Sequence, residues 1–212
     1  MADTYTTLRQ TVEIEYVERK SVFLGYAAPV KTEEQALALI KERRTAMPDA
    51  THHVFGYHMK GGILARYSDD GEPQGTAGMP VLETIRKSGA DDALVVVTRY
   101  FGGILLGAGG LVRAYANAAH LALEAAGIVT YEPYAELALA CSYSDYQRYL
   151  SQLPRFGAIV DDTEFTDRVT LRFAVKKALV EDVRALVREI SAGSDEVRVC
   201  GERFDVPPSA GA

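Results

Sequence analysis

Three groups of side chains along this chain could do chemistry. They are the histidines His52, His53 and His58, the acidic residues Asp69, Asp70 and Glu72 within "SDDGEPQGTAG", and the arginines Arg99 and Arg113, which bracket "FGGILLGAGG" at 101–110. Histidine beside carboxylate is a ligand set for a divalent cation. The spacing here fits neither an HExxH helix nor an EF-hand loop, so these residues read as polar turns and hydrogen-bonded histidines, with no metal or cofactor expected. There is no GxSxG elbow and no recognisable pair of nucleophile and base, which points to a binding module rather than an enzyme.

The glycine stretch asks for a separate explanation. Gly102, Gly103, Gly107, Gly109 and Gly110 follow the apolar run "ALVVVT" and precede "LVRAYANAAHLALEAAG". Each glycine gives up more backbone entropy on folding than another residue, so the stretch needs positive φ, close packing or room for a ligand. A strand, a glycine loop and a helix start make an anion site available, because unpaired N–H groups and the helix dipole point at the loop. The common nucleotide signatures fail. Ala108 stands where a Walker A loop continues after Gly107, and Val112 stands at the third glycine position of GxGxxG. Packing of the helix against its sheet is the competing explanation.

The elements that would position these groups are legible. "TVEIEYVERKSVFLGYAAPV" reads as two strands around Arg19 and Lys20, and "TEEQALALIKERRTAM" as a helix capped by Thr32. Strands follow near "HHVFGYHM" and "GILARYS", then a short helix with Pro80 in its first turn and Gly89 at its end. After Gly127, the tail reads strand, helix, strand, strand, helix, strand. Its first helix has a capping box of Ser144 and Gln147, and Leu179, Val183, Leu186, Val187 and Ile190 stripe the second. The order βαββαβ is that of a ferredoxin-like sandwich.

The chain has 212 residues, 48% hydrophobic, with a net charge of −6 and a sequence pI of about 5.3. That length can bury two cores, and the acidic balance excludes a protein that coats nucleic acid through bulk charge. No apolar run reaches a membrane span and no basic start precedes an apolar region, so the sequence reads as cytoplasmic. Cys141 and Cys200 read as reduced thiols without a disulfide-linked partner, brought near one another if the first and last strands of the tail pair. Disorder is expected only at the ends, "MADTY" and "PPSAGA".

"HH" at 52–53, "YSDDGEPQGTAGMP" at 67–80 and "VVVTRYFGGILLGAGGLVRAY" at 95–115 together resemble the hallmark segments of the YigZ/IMPACT family. The resemblance implies an α+β chain in three parts. Residues 1–129 would be an Impact-type domain of the ribosomal protein S5 domain 2-like fold, similar to domain IV of the translocation factor EF-G. Residues 130–206 would be a ferredoxin-like domain similar to its domain V, and 207–212 a tail. Eukaryotic IMPACT acts in translational control, bacterial relatives are thought to bind RNA or the ribosome, and some carry a proline dipeptidase label. The expected partners are therefore the ribosome, a structured RNA or a translation-associated protein. The expected contact surface joins Arg99, Arg113 and the five loop glycines to Asp69, Asp70, Gly71, Glu72, Gly75 and Thr76. A metal-dependent peptidase using His52, His53 and the acidic loop stands as the alternative.

Overall fold

The computed structural model describes residues 4–60 and 64–208, which divide into two compact units, one spanning Tyr5–Thr130 and one beginning at Tyr131. In the first unit, strands β2 (Val12–Glu18) and β3 (Ser21–Pro29) form a hairpin whose two-residue turn is Arg19–Lys20. Both turn residues have positive φ, the twist that a two-residue hairpin turn requires. Helix α1 (Glu33–Ala46) starts where the Thr32 hydroxyl accepts the Gln35 N–H. Strands β4 (His52–His58), β5 (Ala65–Ser68) and β6 (Ala93–Tyr100) complete an antiparallel sheet of order β2-β3-β6-β4-β5. The expected strand "GILARYS" is seen over Ala65–Ser68, its first residues lying outside the described ones.

The unbroken apolar run of β6 follows from its central place, because a strand covered on both faces has no polar side to display. Val95 and Val97 pack with helices α2 (Gly78–Ser88) and α3 (Ala108–Ala126), while Leu94 and Val96 pack with Ile40 of α1 on the other face. Along α3, Ala114, Ala118, Ala122 and Ala126 recur every fourth residue and are all buried, so small side chains form its sheet-facing stripe. α3 begins at Ala108 rather than at Leu111, taking Gly109 and Gly110 into its first turn.

Strand β1 (Tyr5–Leu8) pairs with β7 (Ile128–Cys141), so Tyr5, inside the "MADTY" segment expected to be disordered, belongs to a strand; residues 1–3 and 209–212 lie outside the described ones. In the second unit, β7 is followed by α4 (Tyr143–Gln152), β8 (Ile159–Phe165), β9 (Val169–Lys176), α5 (Val180–Ile190) and β10 (Val197–Asp205). The antiparallel order β10-β7-β9-β8 is ferredoxin-like. Its core joins Leu137, Leu139 and Phe173 to Tyr149 of α4 and to Val183 and Val187 of α5. The helix cap falls two residues before the expected Ser144: Ser142 accepts the Asp145 N–H, and Ser144 lies within the helix.

The first and last tail strands are neighbours, yet the two cysteines do not meet. Cys141 lies beyond Leu139, the partner of Val197, whereas Cys200 falls in the bulge between Val199 and Gly201, beside Leu137. Cys141 is buried in the core and Cys200 is exposed, and both are free thiols.

Candidate functional site

The acidic loop after β5 is built from its own carboxylates. Asp69 accepts the backbone N–H groups of Gly75 at 2.9 Å, Ala77 at 3.1 Å and Gly78 at 2.8 Å, which caps α2 with a side chain from outside the helix. Asp70 receives the Arg44 guanidinium at 2.5 Å and the His53 N–H at 2.6 Å. Thr76 donates its hydroxyl to the Pro73 carbonyl at 2.6 Å, and Gly71 and Gly75 supply the positive-φ turns of the same loop. The third carboxylate, Glu72, turns inward with its side chain only 4% exposed.

Glu72 meets Arg99 from β6. The Arg99 guanidinium donates to Glu72 Oε1 at 2.5 Å and to Ser21 Oγ at 3.3 Å, and the Tyr115 hydroxyl of α3 donates to the same Oε1 at 2.7 Å. Phe23 and Phe101 flank the guanidinium, with its carbon 5.4 and 5.5 Å from their ring centres. Burial, reinforced by the Glu72 carboxylate, pushes the Tyr115 phenol far above its ordinary value. Arg99 therefore differs from the exposed phosphate partner expected of it. It is a buried cation held by a buried carboxylate, because β6 is the central strand and all its residues from Ala93 to Arg99 are buried.

Arg113, on the second turn of α3, is exposed. It lines a depression of about 220 Å³ together with Arg19, so the hairpin turn supplies the second basic group that the surface was expected to draw from Arg99. Gly102 explains how the turn and the loop come so close. A Cβ there would lie 2.0 Å from the Lys20 carbonyl group, and the Gly102 N–H donates to Ser21 Oγ at 3.2 Å. Gly103 and Gly107 have positive φ. Gly107 caps α3 without a side chain, leaving the N–H groups of Ala108, Gly109 and Gly110 with no acceptor inside the helix. Between the two loops lies a cleft of about 410 Å³ to which Glu72 and Pro73 contribute from one and Leu106 and Gly107 from the other.

The histidines do not assemble. His53 is buried between the Thr98 hydroxyl and the Met47 carbonyl, each at 3.1 Å, and burial lowers its pKa. His58 stands at the other end of β4, 3.2 Å from Asp91. Only His52 reaches the cleft, its Nδ1 held by the Asp70 carbonyl at 2.8 Å. Among the described residues, no three His, Cys, Asp or Glu side chains are placed to hold a metal, and this arrangement lends no support to a metal-dependent peptidase. Ser21, Phe101 and Tyr115 were missed by reasoning from sequence. Ser21 belongs to no motif, and Phe101 and Tyr115, though inside the segment 95–115, carry no chemistry that singles them out; the one available signal for Tyr115 is its place on the inner stripe of an Ala-rich helix.

Two α+β units, the first gathering a glycine loop, an acidic loop and a bare helix start around one cleft, define the class of protein. Residues 19–123 match the family described as Impact N-terminal domain, and residues 139–194 match Domain of unknown function (DUF1949). The chain belongs to the IMPACT family. IMPACT family member YvyE of Bacillus subtilis is 30% identical over 93% of this chain and 92% of its own length. IMPACT family member YigZ of Escherichia coli is 34% identical over 83% of this chain and 88% of its own. A crystal structure described as that of a hypothetical protein is similar with a TM-score of 0.60 at 30% identity, covering 95% of this chain and 99% of that one. No helix among the described residues is long and apolar enough to cross a membrane.

Proposed function

We propose that the chain is a non-catalytic binding protein of the translation apparatus, which contacts the ribosome or another structured RNA through the glycine-loop surface of its first unit. The observation that carries this reading is the convergence of Arg19 and Arg113 on one depression that Gly110, in the bare first turn of α3, also lines, with Glu18, 4.0 Å from Arg19, as the one carboxylate in that lining. Forked guanidinium groups and a helix N-terminus are both suited to phosphate oxygens. With a net charge of −6, the chain gains nothing from bulk attraction, so recognition would rest on the shape of a folded target.

One observation favours a translation-associated protein as the partner instead. The loop tip carries Phe101, Ile104 and Leu105 at 46%, 40% and 82% exposure, a composition more typical of a protein contact. Co-sedimentation with ribosomes at low and high salt separates the two. The parent should pellet at low salt and be released at high salt, and an Arg19→Glu, Arg113→Glu double variant that unfolds at the parent's temperature should stay in solution. Pelleting equal to the parent's, or a parent that never pellets, removes the RNA reading. Loss in Leu105→Ala but not in the arginine variant assigns the surface to a protein.

A further inference from the structure

The cleft between the two loops has features that contact with a phosphate backbone does not use. Arg99 lines it, and the Nε–H of this arginine is buried without an acceptor, although the rest of the guanidinium is paired. Its side chain is 6% exposed, so water does not readily supply what is missing, and a buried unpaired donor is costly to maintain. His52 shows the opposite deficit. Its Nδ1 faces a carbonyl, which can only accept, so Nδ1 carries the hydrogen and Nε2 of the neutral ring is an acceptor. Nε2 stands 3.7 Å from Glu72 Oε1, too far for a hydrogen bond and with two acceptors facing each other. Arg99 Nε, being buried, is out of reach of a molecule in the cleft, so the floor asks for a ligand that brings donors to His52 and Glu72.

The walls narrow the choice. Phe101, Leu106 and Leu111 give the mouth flat apolar surfaces, and α3 starts at the rim with Gly107 and Ala108. We propose that the cleft holds one unpaired nucleotide of the RNA, its base against Phe101 and its phosphate at the start of α3. This inference rests on the RNA reading above and specifies what enters the site. Unstacked bases are recognised in this way, by an aromatic face and by hydrogen bonds to the base edge. Guanine suits the floor best among the four bases. Its N1–H and 2-amino group supply two adjacent donors on one edge, a pair that adenine, cytosine and uracil lack.

The test is equilibrium binding of GMP, AMP, UMP and inorganic phosphate to the full chain, by calorimetry or by ligand-observed NMR. GMP should bind, AMP and UMP more weakly, and phosphate alone weakest. Phe101→Ala should weaken GMP about tenfold or more, the loss expected from one stacked base. His52→Ala should weaken GMP and narrow its margin over AMP. Leu37→Ala, at a 50% exposed position of α1 outside the lining of the cleft, should bind GMP within about twofold of the parent. Absence of GMP binding at millimolar concentration, phosphate binding as tight as GMP, or a Phe101→Ala variant equal to the parent overturns the inference. If GMP fails while the parent still pellets with ribosomes, the nucleotide pocket falls and the wider RNA reading stands. If pelleting fails as well, both fall.

Discussion

Replacing Glu72 with alanine should destabilise the first unit more than any change to its exposed ion pairs. The carboxylate is 4% exposed and is the acceptor for both Arg99, itself 6% exposed, and the Tyr115 hydroxyl. Removing it strands a buried cation, which costs about 3–5 kcal/mol. The orphaned hydroxyl adds about 1 kcal/mol or more. A sum of about 4–6 kcal/mol takes up a large share of the roughly 5–15 kcal/mol that holds a domain folded. With a slope of about 2 kcal/mol per molar urea, the midpoint of the unit should fall by about 2 M or more. The chain has 12 tyrosines and no tryptophan, so tyrosine fluorescence and far-ultraviolet circular dichroism are the suitable signals. Glu83→Ala is the control, since it breaks a pair with Arg86 whose side chains are 45% and 43% exposed, and should change stability by under about 1 kcal/mol. Adding Arg99→Met to Glu72→Ala should restore part of the loss, because it removes the stranded charge. A Glu72→Ala midpoint indistinguishable from that of Glu83→Ala would refute the account of the buried pair.

Two further outcomes test other parts of the structure. Gly102→Ala should lower the melting temperature much further than Gly103→Ala, because its Cβ would sit 2.0 Å from the Lys20 carbonyl group, whereas a Cβ at Gly103 meets nothing within 4 Å and carries only the strain of φ +82°. Equal shifts would contradict the close approach of turn and loop. A thiol reagent should label Cys200 promptly in the native chain and Cys141 only on unfolding, since burial pushes the Cys141 thiol from 9.0 up to about 11. Its folded value lies above the unfolded one, so the stability linked to it is complete below pH 9 and is lost as the pH rises through about 11. Rapid labelling of both thiols at neutral pH would place Cys141 outside the core.

The elements were readable where local rules act alone. Thr32 capping α1, the Arg19–Lys20 turn and the βαββαβ tail each depend on residues adjacent in sequence, and periodicity or capping chemistry specifies them. The site was readable only as a set of loops. That Arg99 faces inward follows from the central place of β6, which depends on strand pairings between distant residues such as Phe23↔Arg99 and His52↔Arg99. The roles of Ser21 and Tyr115 arise the same way, from groups far apart in the chain that meet at one guanidinium and its carboxylate. The start of α3 was misplaced because Gly109 and Gly110 oppose helix by propensity, while packing of the alanine stripe outweighs that cost.

The buried Arg99 clamps the hairpin turn, through Ser21, to the acidic loop, through Glu72, and Ser21 in turn holds Gly102 of the glycine loop. Segments separated by dozens of residues thus arrive at a partner already fixed relative to one another. Little freedom is left in their framework for a ligand to freeze out, so contacts made at the rim translate into affinity with a small ordering penalty. Changes that loosen the clamp should then speed dissociation of the proposed partner while leaving the rate of encounter nearly unchanged.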